Sequence, residues 1–327
     1  MKLAFFDTKP HDIASFEKPL ADANITVKYL DTHLNSDTAW LAYGYDAVCI
    51  FVNDVIDKKV VDILYNECGV KAVVLRCAGY NNVDLEACAG KLPVFRVPAY
   101  SPYAVAEHAM ALLLTINRRT HKAYNRTREF NFSLTNLCGF DLHGKTVGIV
   151  GAGKIGRVFA DICKGFGMRV LAYDAYPNPN SGLEYVDLDT IFADSDIISL
   201  HCPLMDNTYH MIDAAAIEKM KKGVIILNTS RGGLIDTDAL IDGLLARKVG
   251  AACLDVYEEE SDVFFEDRSS HIMDDEKLVR LIAMPNVLVT SHQAFLTNEA
   301  LNNIASVTVE NLQKFQAGEE NHSTQVC

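Results

Sequence analysis

A glycine-rich segment in the middle of the chain has the residue types and spacing of a dinucleotide phosphate site. Gly151, Gly153 and Gly156 form a G-x-G-x-x-G pattern between an apolar run and apolar residues at helical spacing. In this pattern the first glycine permits a tight turn, the second leaves room for a pyrophosphate, and the third lets helix and strand pack closely. Amides at the start of the following helix would face the phosphates. The segment is therefore predicted to bind a dinucleotide.

An acidic residue indicates which dinucleotide is bound. A second strand-like run, 169–173, ends at Asp174, which lies 18 residues after Gly156, close to the spacing of roughly 20 for a ribose-binding acid. Its carboxylate would accept hydrogen bonds from the ribose hydroxyls and repel the 2′-phosphate of NADP. Residues 175–177 contain no arginine that would reverse this preference. We therefore predict NAD as the cofactor.

Polar residues that could reduce a carbonyl group follow later predicted strands. Ligands of open α/β sheets bind beyond the carboxyl ends of the strands, and the residues at these ends are His201–Pro203, Asn228–Arg231, Asp255 and Ser291–His292. A histidine can protonate a developing alkoxide, a carboxylate can keep that histidine charged, and an arginine can hold a substrate carboxylate. Arg231, Glu260 and His292 could fill these roles. Spacing alone leaves open that Arg231 caps a turn and that Glu260 belongs to a solvated acidic run, Glu258–Glu260.

The elements around these residues predict an α/β fold with two doubly wound parallel sheets. Five strand-like runs alternate with amphipathic segments in about the first 100 residues. Six further runs lie between 147 and 289, which suits a doubly wound dinucleotide fold. A helix is expected over 103–119, a polar linker over 127–144 and a last helix over 298–316. Because the six strands complete the second domain, the last helix is expected to return to the first.

Composition excludes several classes of protein. A chain of 327 residues with 49% hydrophobic residues can form two cores, and a net charge of −13 argues against nucleic acid or an anionic membrane as partner. The nine cysteines form no C-x-x-C pair, and the N-terminal MKLAFFDTKP lacks the apolar region of a signal peptide. The histidines show no metal-ligand spacing. We expect a cytoplasmic enzyme with reduced thiols and without a metal, a membrane partner or a nucleic-acid partner.

Several segments resemble those of the D-isomer-specific 2-hydroxyacid dehydrogenases. The signature segments are NTSRGGLIDTDAL at 228–240, AACLDVYEEE at 251–260 and NVLVTSHQAFLT at 286–297. LRCAGYNNVD at 75–84, VPAYSPYAVAEHA at 97–109 and SDVFFEDRS at 261–269 are most similar to the fermentative D-lactate dehydrogenase branch. The resemblance covers nearly the whole chain. It implies an oxidoreductase that reduces pyruvate to D-lactate with NADH, reversibly.

The resemblance also implies roles for individual residues. Arg231, Glu260 and His292 would be catalytic, and Glu260 is singled out because the family places its glutamate five residues after the aspartate of the L-D-V segment, here Asp255. The residues implied to bind NAD are Gly151, Gly153, Lys154, Ile155, Gly156, Asp174, His201, Cys202, Pro203, Thr208, Thr229, Ser230, Arg231, Asp255 and His292. Those implied to bind substrate are Ala78, Gly79, Tyr100, Arg231, His292 and Phe295.

The family fold implies that one domain interrupts the other. Residues 1–99 and 298–327 would form a flavodoxin-like substrate domain, and 100–297 a Rossmann NAD-binding domain, with the active site in the cleft between them. A homodimer or homotetramer is also implied, with dimer contacts through the helix at 101–119. The same chemistry on a bulkier 2-oxoacid, such as phenylpyruvate or 2-oxoisocaproate, stays open, as does an NAD-sensing corepressor-like protein. A formate dehydrogenase is less expected, because that pattern has glutamine where Glu260 stands. A phosphoglycerate dehydrogenase is also less expected, because it would need a basic phosphate site.

Overall fold

The computed structural model describes residues 1–260, 263–319 and 321–327. Ser261 and Asp262, which begin the SDVFFEDRS segment, and Glu320, in the predicted substrate domain, lie outside the described residues. The chain divides into two units, Met1–Ser101 with Leu296–Cys327, and Pro102–Phe295. The last helix therefore belongs to the same unit as the N-terminal strands.

Five parallel strands form the sheet of the first unit. They are β1 (Lys2–Phe5), β2 (Thr26–Tyr29), β3 (Ala47–Ile50), β4 (Ala72–Leu75) and β5 (Val94–Phe95). Their order is β2-β1-β3-β4-β5, which is the flavodoxin-like order. Strands β3 and β4 are buried at every position, as expected of a parallel sheet that is covered on both faces.

Seven parallel strands form the sheet of the second unit. They are β6 (Thr146–Val150), β7 (Arg169–Tyr173), β8 (Glu184–Tyr185), β9 (Ile197–Leu200), β10 (Val224–Asn228), β11 (Val249–Leu254) and β12 (Val287–Val289). The order β12-β11-β10-β9-β6-β7-β8 is that of a dinucleotide-binding fold with one additional edge strand. The predicted count of six strands was wrong because β8 has only two residues, one of them an exposed glutamate.

Helices connect the strands of both sheets. In chain order they are α1 (Pro10–Asp22), α2 (Lys58–Asp62), α3 (Leu85–Cys88), α4 (Pro102–Arg118), α5 (Thr120–Arg128), α6 (Lys154–Gly165), α7 (Leu188–Asp194), α8 (Ala214–Lys219), α9 (Thr237–Leu245), α10 (Glu276–Ala283) and α11 (Asn298–Ala317). The helix predicted over 103–119 ends one residue early because Arg119 has a φ of +53°, a left-handed conformation that interrupts a helix. A separate helix, α5, then follows in a stretch for which no element is predicted, and only its last two residues fall within the predicted linker.

The second sheet lies between two apolar cores. Ile198 and Ile226 point into one core, and Ile197 and Ile225, their neighbours along β9 and β10, point into the other. This alternation is the period of a β-strand with both faces buried. Because every strand pair of this sheet is parallel, all carboxyl ends lie along one edge, where the predicted site residues follow the strands.

None of the helices within the described ranges is long and apolar enough to cross a bilayer. All nine cysteines, each of which lies in those ranges, are free thiols.

Candidate functional site

The glycine loop between β6 and α6 is closely packed on its protein side. Gly151 has a φ of +95°, and a Cβ there would lie 2.6 Å from the amide nitrogen of Cys202. A Cβ on Gly156 would lie 2.0 Å from the carbonyl oxygen of Gly151. At Gly153, by contrast, no described atom lies within 4 Å of the Cβ position. The loop is therefore open at the glycine where a pyrophosphate would approach, and Lys154 and Ile155 begin α6 directly behind it.

The carboxylate of Asp174 is held at the end of β7, beside this loop. One oxygen accepts a hydrogen bond from the amide of Ala152 at 2.7 Å, and the other accepts one from the amide of Tyr176 at 2.8 Å. A carboxylate oxygen has two acceptor positions, so each can also accept a ribose hydroxyl. The geometry fits the adenosine side of NAD.

The chain after β9 contacts the glycine loop. The amide of His201 donates to the carbonyl oxygen of Val150, the last residue of β6, at 2.7 Å. Nε2 of the His201 ring lies 2.8 Å from the Ser199 hydroxyl. Burial lowers the pKa of His201 to about 4, because an imidazolium ion loses its hydration there. The imidazole is therefore neutral near neutral pH and adds no positive charge to the dinucleotide site.

Hydroxyl groups shape the loops next to His201. Thr208 donates its hydroxyl proton to the carbonyl oxygen of Pro203 at 2.8 Å, which closes the loop between them. Ser230 donates to the carbonyl oxygen of Cys202 at 2.6 Å and so joins the ends of β9 and β10. The buried Oγ1 of Thr229 makes no hydrogen bond within the described residues. Because buried hydroxyls normally have a partner, Thr229 is suited to bind a ligand.

The backbone around Arg231 is fixed by Asn228 and Gly232. The Asn228 side chain donates to the carbonyl oxygen of Arg231 at 2.9 Å and accepts from the amide of Ser230 at 3.1 Å. A Cβ on Gly232 would lie 2.0 Å from the carbonyl oxygen of Tyr257, so this glycine lets the loops after β10 and β11 touch. Among the described residues the guanidinium makes one hydrogen bond, to the carbonyl oxygen of Ser230 at 2.7 Å. Its other N–H groups can therefore bind an anion.

His292 and Glu260 form a side-chain pair. Nδ1 of His292 lies 2.9 Å from Oε1 of Glu260, and the other oxygen of Glu260 accepts from the amide of Tyr257 at 2.9 Å. Because Nδ1 is bonded to the carboxylate, Nε2 is the ring nitrogen that can face a ligand. His292 has a φ of +52°, and its ring centroid lies 5.8 Å from that of Phe265.

Glu258, two residues earlier, belongs to a different group of side chains. Its Oε1 is hydrogen-bonded to Nε2 of His210 and its Oε2 to the hydroxyl of Thr237 at 2.9 Å. Burial raises the pKa of Glu258, but the hydrogen bonds from His210 and Thr237 outweigh it and hold the pKa below its ordinary value. Glu258 and Glu260 therefore bind different side chains, although both follow β11.

Asp255, at the end of β11, is fully buried. One carboxylate oxygen accepts from the Thr290 hydroxyl at 2.5 Å and the Gln293 amide at 2.9 Å, and the other from the Ala294 amide at 2.8 Å. Burial raises the pKa of Asp255, but the hydrogen bonds from His108 and Thr290 outweigh this effect and hold the pKa below its ordinary value. His108 and Thr290 were not predicted as site residues, since no local pattern in a sequence indicates which side chains meet a buried carboxylate.

In the first unit, Ala78 and Gly79 lie in the loop after β4. The carbonyl oxygen of Ala78 accepts from Nη1 of Arg96 at 2.9 Å, and that of Gly79 from the thiol of Cys77 at 3.2 Å. Neither amide of the pair donates a hydrogen bond to any described residue. Two adjacent amides without partners can bind a carboxylate. Tyr100, in the first unit, and Phe295, in the second, are half-buried.

Known proteins are similar to this chain over nearly its full length. The family description "D-isomer specific 2-hydroxyacid dehydrogenase, NAD binding domain" matches residues 110–294, which lie in the second unit. The chain is 52% identical to a "2-hydroxyacid dehydrogenase homolog" of Haemophilus influenzae, over 97% of both chains. It is 50% identical to the D-lactate dehydrogenase of Escherichia coli K12, over 98% of both chains. The apo-structure of D-lactate dehydrogenase from Escherichia coli matches with a TM-score of 0.92, 47% identity and full coverage of both chains.

The family match covers more than half of the chain, and the relatives cover nearly all of it. The glycine loop, Asp174 and the unpartnered Thr229 hydroxyl form a site that fits the cofactor named in the family description. The chain therefore belongs to the D-isomer-specific 2-hydroxyacid dehydrogenase family, with NAD as its cofactor.

Proposed function

We propose that this protein is an NAD-dependent D-lactate dehydrogenase that reduces pyruvate to D-lactate with NADH, reversibly. The observation that carries the proposal is the 2.9 Å pair of His292 and Glu260, which follows strands of the same sheet that carries the glycine loop. A charged imidazole at that edge can protonate a substrate carbonyl group. The similarity to the D-lactate dehydrogenase of Escherichia coli supports pyruvate as the substrate.

The second unit is proposed to hold the cofactor, which when bound supplies or accepts a hydride at its nicotinamide. Gly151, Gly153 and Gly156 accommodate the pyrophosphate, and the first amides of α6, at Lys154 and Ile155, stabilise its charge. Asp174 accepts the ribose hydroxyls. The remaining lining residues are His201, Cys202, Pro203, Thr208, Thr229, Ser230 and Asp255.

His292 is proposed to be the proton donor of the reduction. Its Nδ1–H is held by Glu260, so the proton that moves is the one on Nε2. That proton goes to the substrate carbonyl oxygen, which becomes the hydroxyl group of the product, and the imidazole is left neutral. In the reverse direction neutral Nε2 removes the hydroxyl proton. Glu260 orients the imidazole through Nδ1, so that Nε2 is the nitrogen that exchanges the proton with the substrate.

Substrate binding is proposed to depend on one guanidinium group, two backbone amides and one hydroxyl group. Arg231 has N–H groups that can hold the substrate carboxylate in a fork and polarise the neighbouring carbonyl group. The amides of Ala78 and Gly79 and the hydroxyl of Tyr100 are proposed to bind the carboxylate as well, which makes the first unit the substrate domain. Phe295 would form a wall of the side-chain pocket.

We further propose that the protein is a cytoplasmic homodimer or homotetramer. The segment after α5 has three large apolar side chains, Phe130, Phe132 and Leu134, which are 84%, 71% and 82% exposed. Apolar side chains this exposed and this close in sequence are typical of an interaction surface. A second copy of the chain would cover them. Sedimentation velocity at micromolar concentration tests this, and a monomer would contradict it.

NADH oxidation with different 2-oxoacids tests the proposed substrate. The ratio kcat/KM is expected to be highest with pyruvate and lower with phenylpyruvate and 2-oxoisocaproate, and the product should be the D isomer by chiral chromatography. A higher kcat/KM with phenylpyruvate would replace pyruvate by a bulkier substrate in the same chemistry. If none of the three 2-oxoacids is reduced, the proposed reaction is wrong.

A further inference from the structure

A side chain from α4 reaches the buried carboxylate of Asp255. Nε2 of His108 lies 3.2 Å from Oδ1 of Asp255 and 3.3 Å from the hydroxyl oxygen of Thr290. Helix α4 is anchored one turn further on, where the thiol of Cys253 contacts the carbonyl oxygen of Leu112 at 3.6 Å. Since residues four apart lie on the same face of a helix, the face that carries His108 is fixed against β11. The imidazole is therefore held at Asp255 by the helix packing.

The loop that carries His292 is wrapped around the same aspartate. The amide of His292 donates to the carbonyl oxygen of Asp255 at 2.7 Å. The next two amides, of Gln293 and Ala294, donate to its carboxylate at 2.9 and 2.8 Å. These bonds hold His292 at a φ of +52°, a backbone conformation that residues other than glycine rarely adopt without such constraints. The position of the imidazole of His292 thus depends on where the carboxylate of Asp255 is held.

We propose that His108 is a positioning residue for His292. His108 and Thr290 together fix Oδ1 of Asp255, Asp255 fixes the loop of residues 290–294, and the loop aims His292 at the substrate. A buried carboxylate needs its donors, because an unpaired charge in the interior is costly. Removing one donor makes Asp255 turn toward the remaining ones and carries the loop with it. The functional consequence, though not the positioning, rests on the proposed role of His292 as proton donor.

The kinetic test compares three variants. His108→Leu removes the donor and keeps an apolar side chain of similar size, whereas His108→Gln keeps an N–H group that can reach Asp255. We expect His108→Leu to lower kcat for pyruvate reduction about 10- to 100-fold, as for the loss of a hydrogen bond to a charged group, with little change in KM. His108→Gln should recover most of this loss. Glu107→Gln, an exposed position on the same helix, serves as the matched control and should resemble the wild type.

Either of two kinetic results would overturn the proposed positioning role of His108. A wild-type kcat in His108→Leu, when His292→Ala has lost activity, would mean that the hydrogen bond does not position His292. Equal losses of kcat in His108→Gln and His108→Leu, with equal drops in melting temperature, would mean that the ring of His108 only packs.

A double variant that combines His108→Leu with Thr290→Val tests whether the two side chains act together. Its loss of kcat should be smaller than the product of the two single losses, since both side chains act on the same carboxylate oxygen. Multiplicative losses would contradict a shared path.

An NMR measurement tests the positioning without any assay of activity. In protein labelled with ¹³C at histidine Cε1, the His292 signal is assigned by its loss in His292→Ala. This signal should shift in His108→Leu and stay unchanged in Glu107→Gln. An unchanged signal in His108→Leu would refute the proposal. If the signal shifts but neither His108→Leu nor His292→Ala alters turnover, the proposed role of His292 in the reaction fails and the positioning stands.

Discussion

Two glycines of the same loop should respond differently to an added methyl group. A Cβ on Gly156 would lie 2.0 Å from the carbonyl oxygen of Gly151, whereas non-bonded carbon and oxygen atoms need about 3.3 Å. The loop and α6 would have to separate by roughly 1 Å. Overpacking of this kind costs about 1–3 kcal/mol. Gly156→Ala is therefore expected to lower the melting temperature by several degrees and to weaken NADH binding as a consequence.

Gly153→Ala should weaken NADH binding without a loss of stability. No described atom lies within 4 Å of its Cβ position, and its φ of −67° and ψ of −161° are open to alanine. The melting temperature of the free protein should therefore stay at the wild-type value. The methyl group occupies the side from which the pyrophosphate approaches, so the dissociation constant for NADH should rise about tenfold or more, or about 1.4 kcal/mol.

Thermal melts of the free protein and fluorescence titrations with NADH separate the two effects. Gly165→Ala is the matched control, because it also lies in α6 and has no described atom within 4 Å of its Cβ position. The control should keep both the melting temperature and the NADH affinity. Wild-type NADH affinity in Gly153→Ala would refute the assignment of this loop as the pyrophosphate site. A wild-type melting temperature in Gly156→Ala would refute the close approach of loop and helix.

Three further predictions concern the acid–base groups. His292→Ala should lose on the order of 10² to 10⁴ in turnover while its NADH dissociation constant stays near the wild-type value; unchanged turnover would remove His292 from the mechanism. Glu260→Gln should lower kcat by about tenfold or more, whereas Glu258→Gln should lower thermal stability and leave kcat near the wild-type value, and equal kcat losses would contradict the separate pairings of the two glutamates. His201 has a pKa of about 4 in the folded protein against 6.5 for the free side chain. The unfolded chain therefore binds more protons between these pH values, and the stability of the cofactor-free protein should fall as pH falls from about 6.5 to about 4. Urea unfolding at a series of pH values should give a flatter profile for His201→Asn, and identical slopes would contradict the buried neutral imidazole.

The sequence predicted most of the second sheet because its strands are continuous apolar runs separated by helical periods. The errors lie where this signal is weak. Strand β8 has two residues, and Glu184 is exposed, so it has no apolar run to detect. Helix α5 was not predicted, because none of its residues is buried and a helix without a buried face shows no amphipathic period.

The sequence by itself determined the features that depend on neighbours in the chain. The glycine loop and Asp174 lie within one strand, helix and strand unit, where spacing alone brings the groups together. The pairings around His292 were decided only by the tertiary structure. Glu258 and Glu260 lie two positions apart in one acidic run, and which of them meets the imidazole of His292 depends on how the loop after β11 lies against that after β12. His108 meets Asp255 only because helix packing and a parallel sheet bring residues 147 positions apart within hydrogen-bonding distance, and no local pattern in a sequence encodes such a contact.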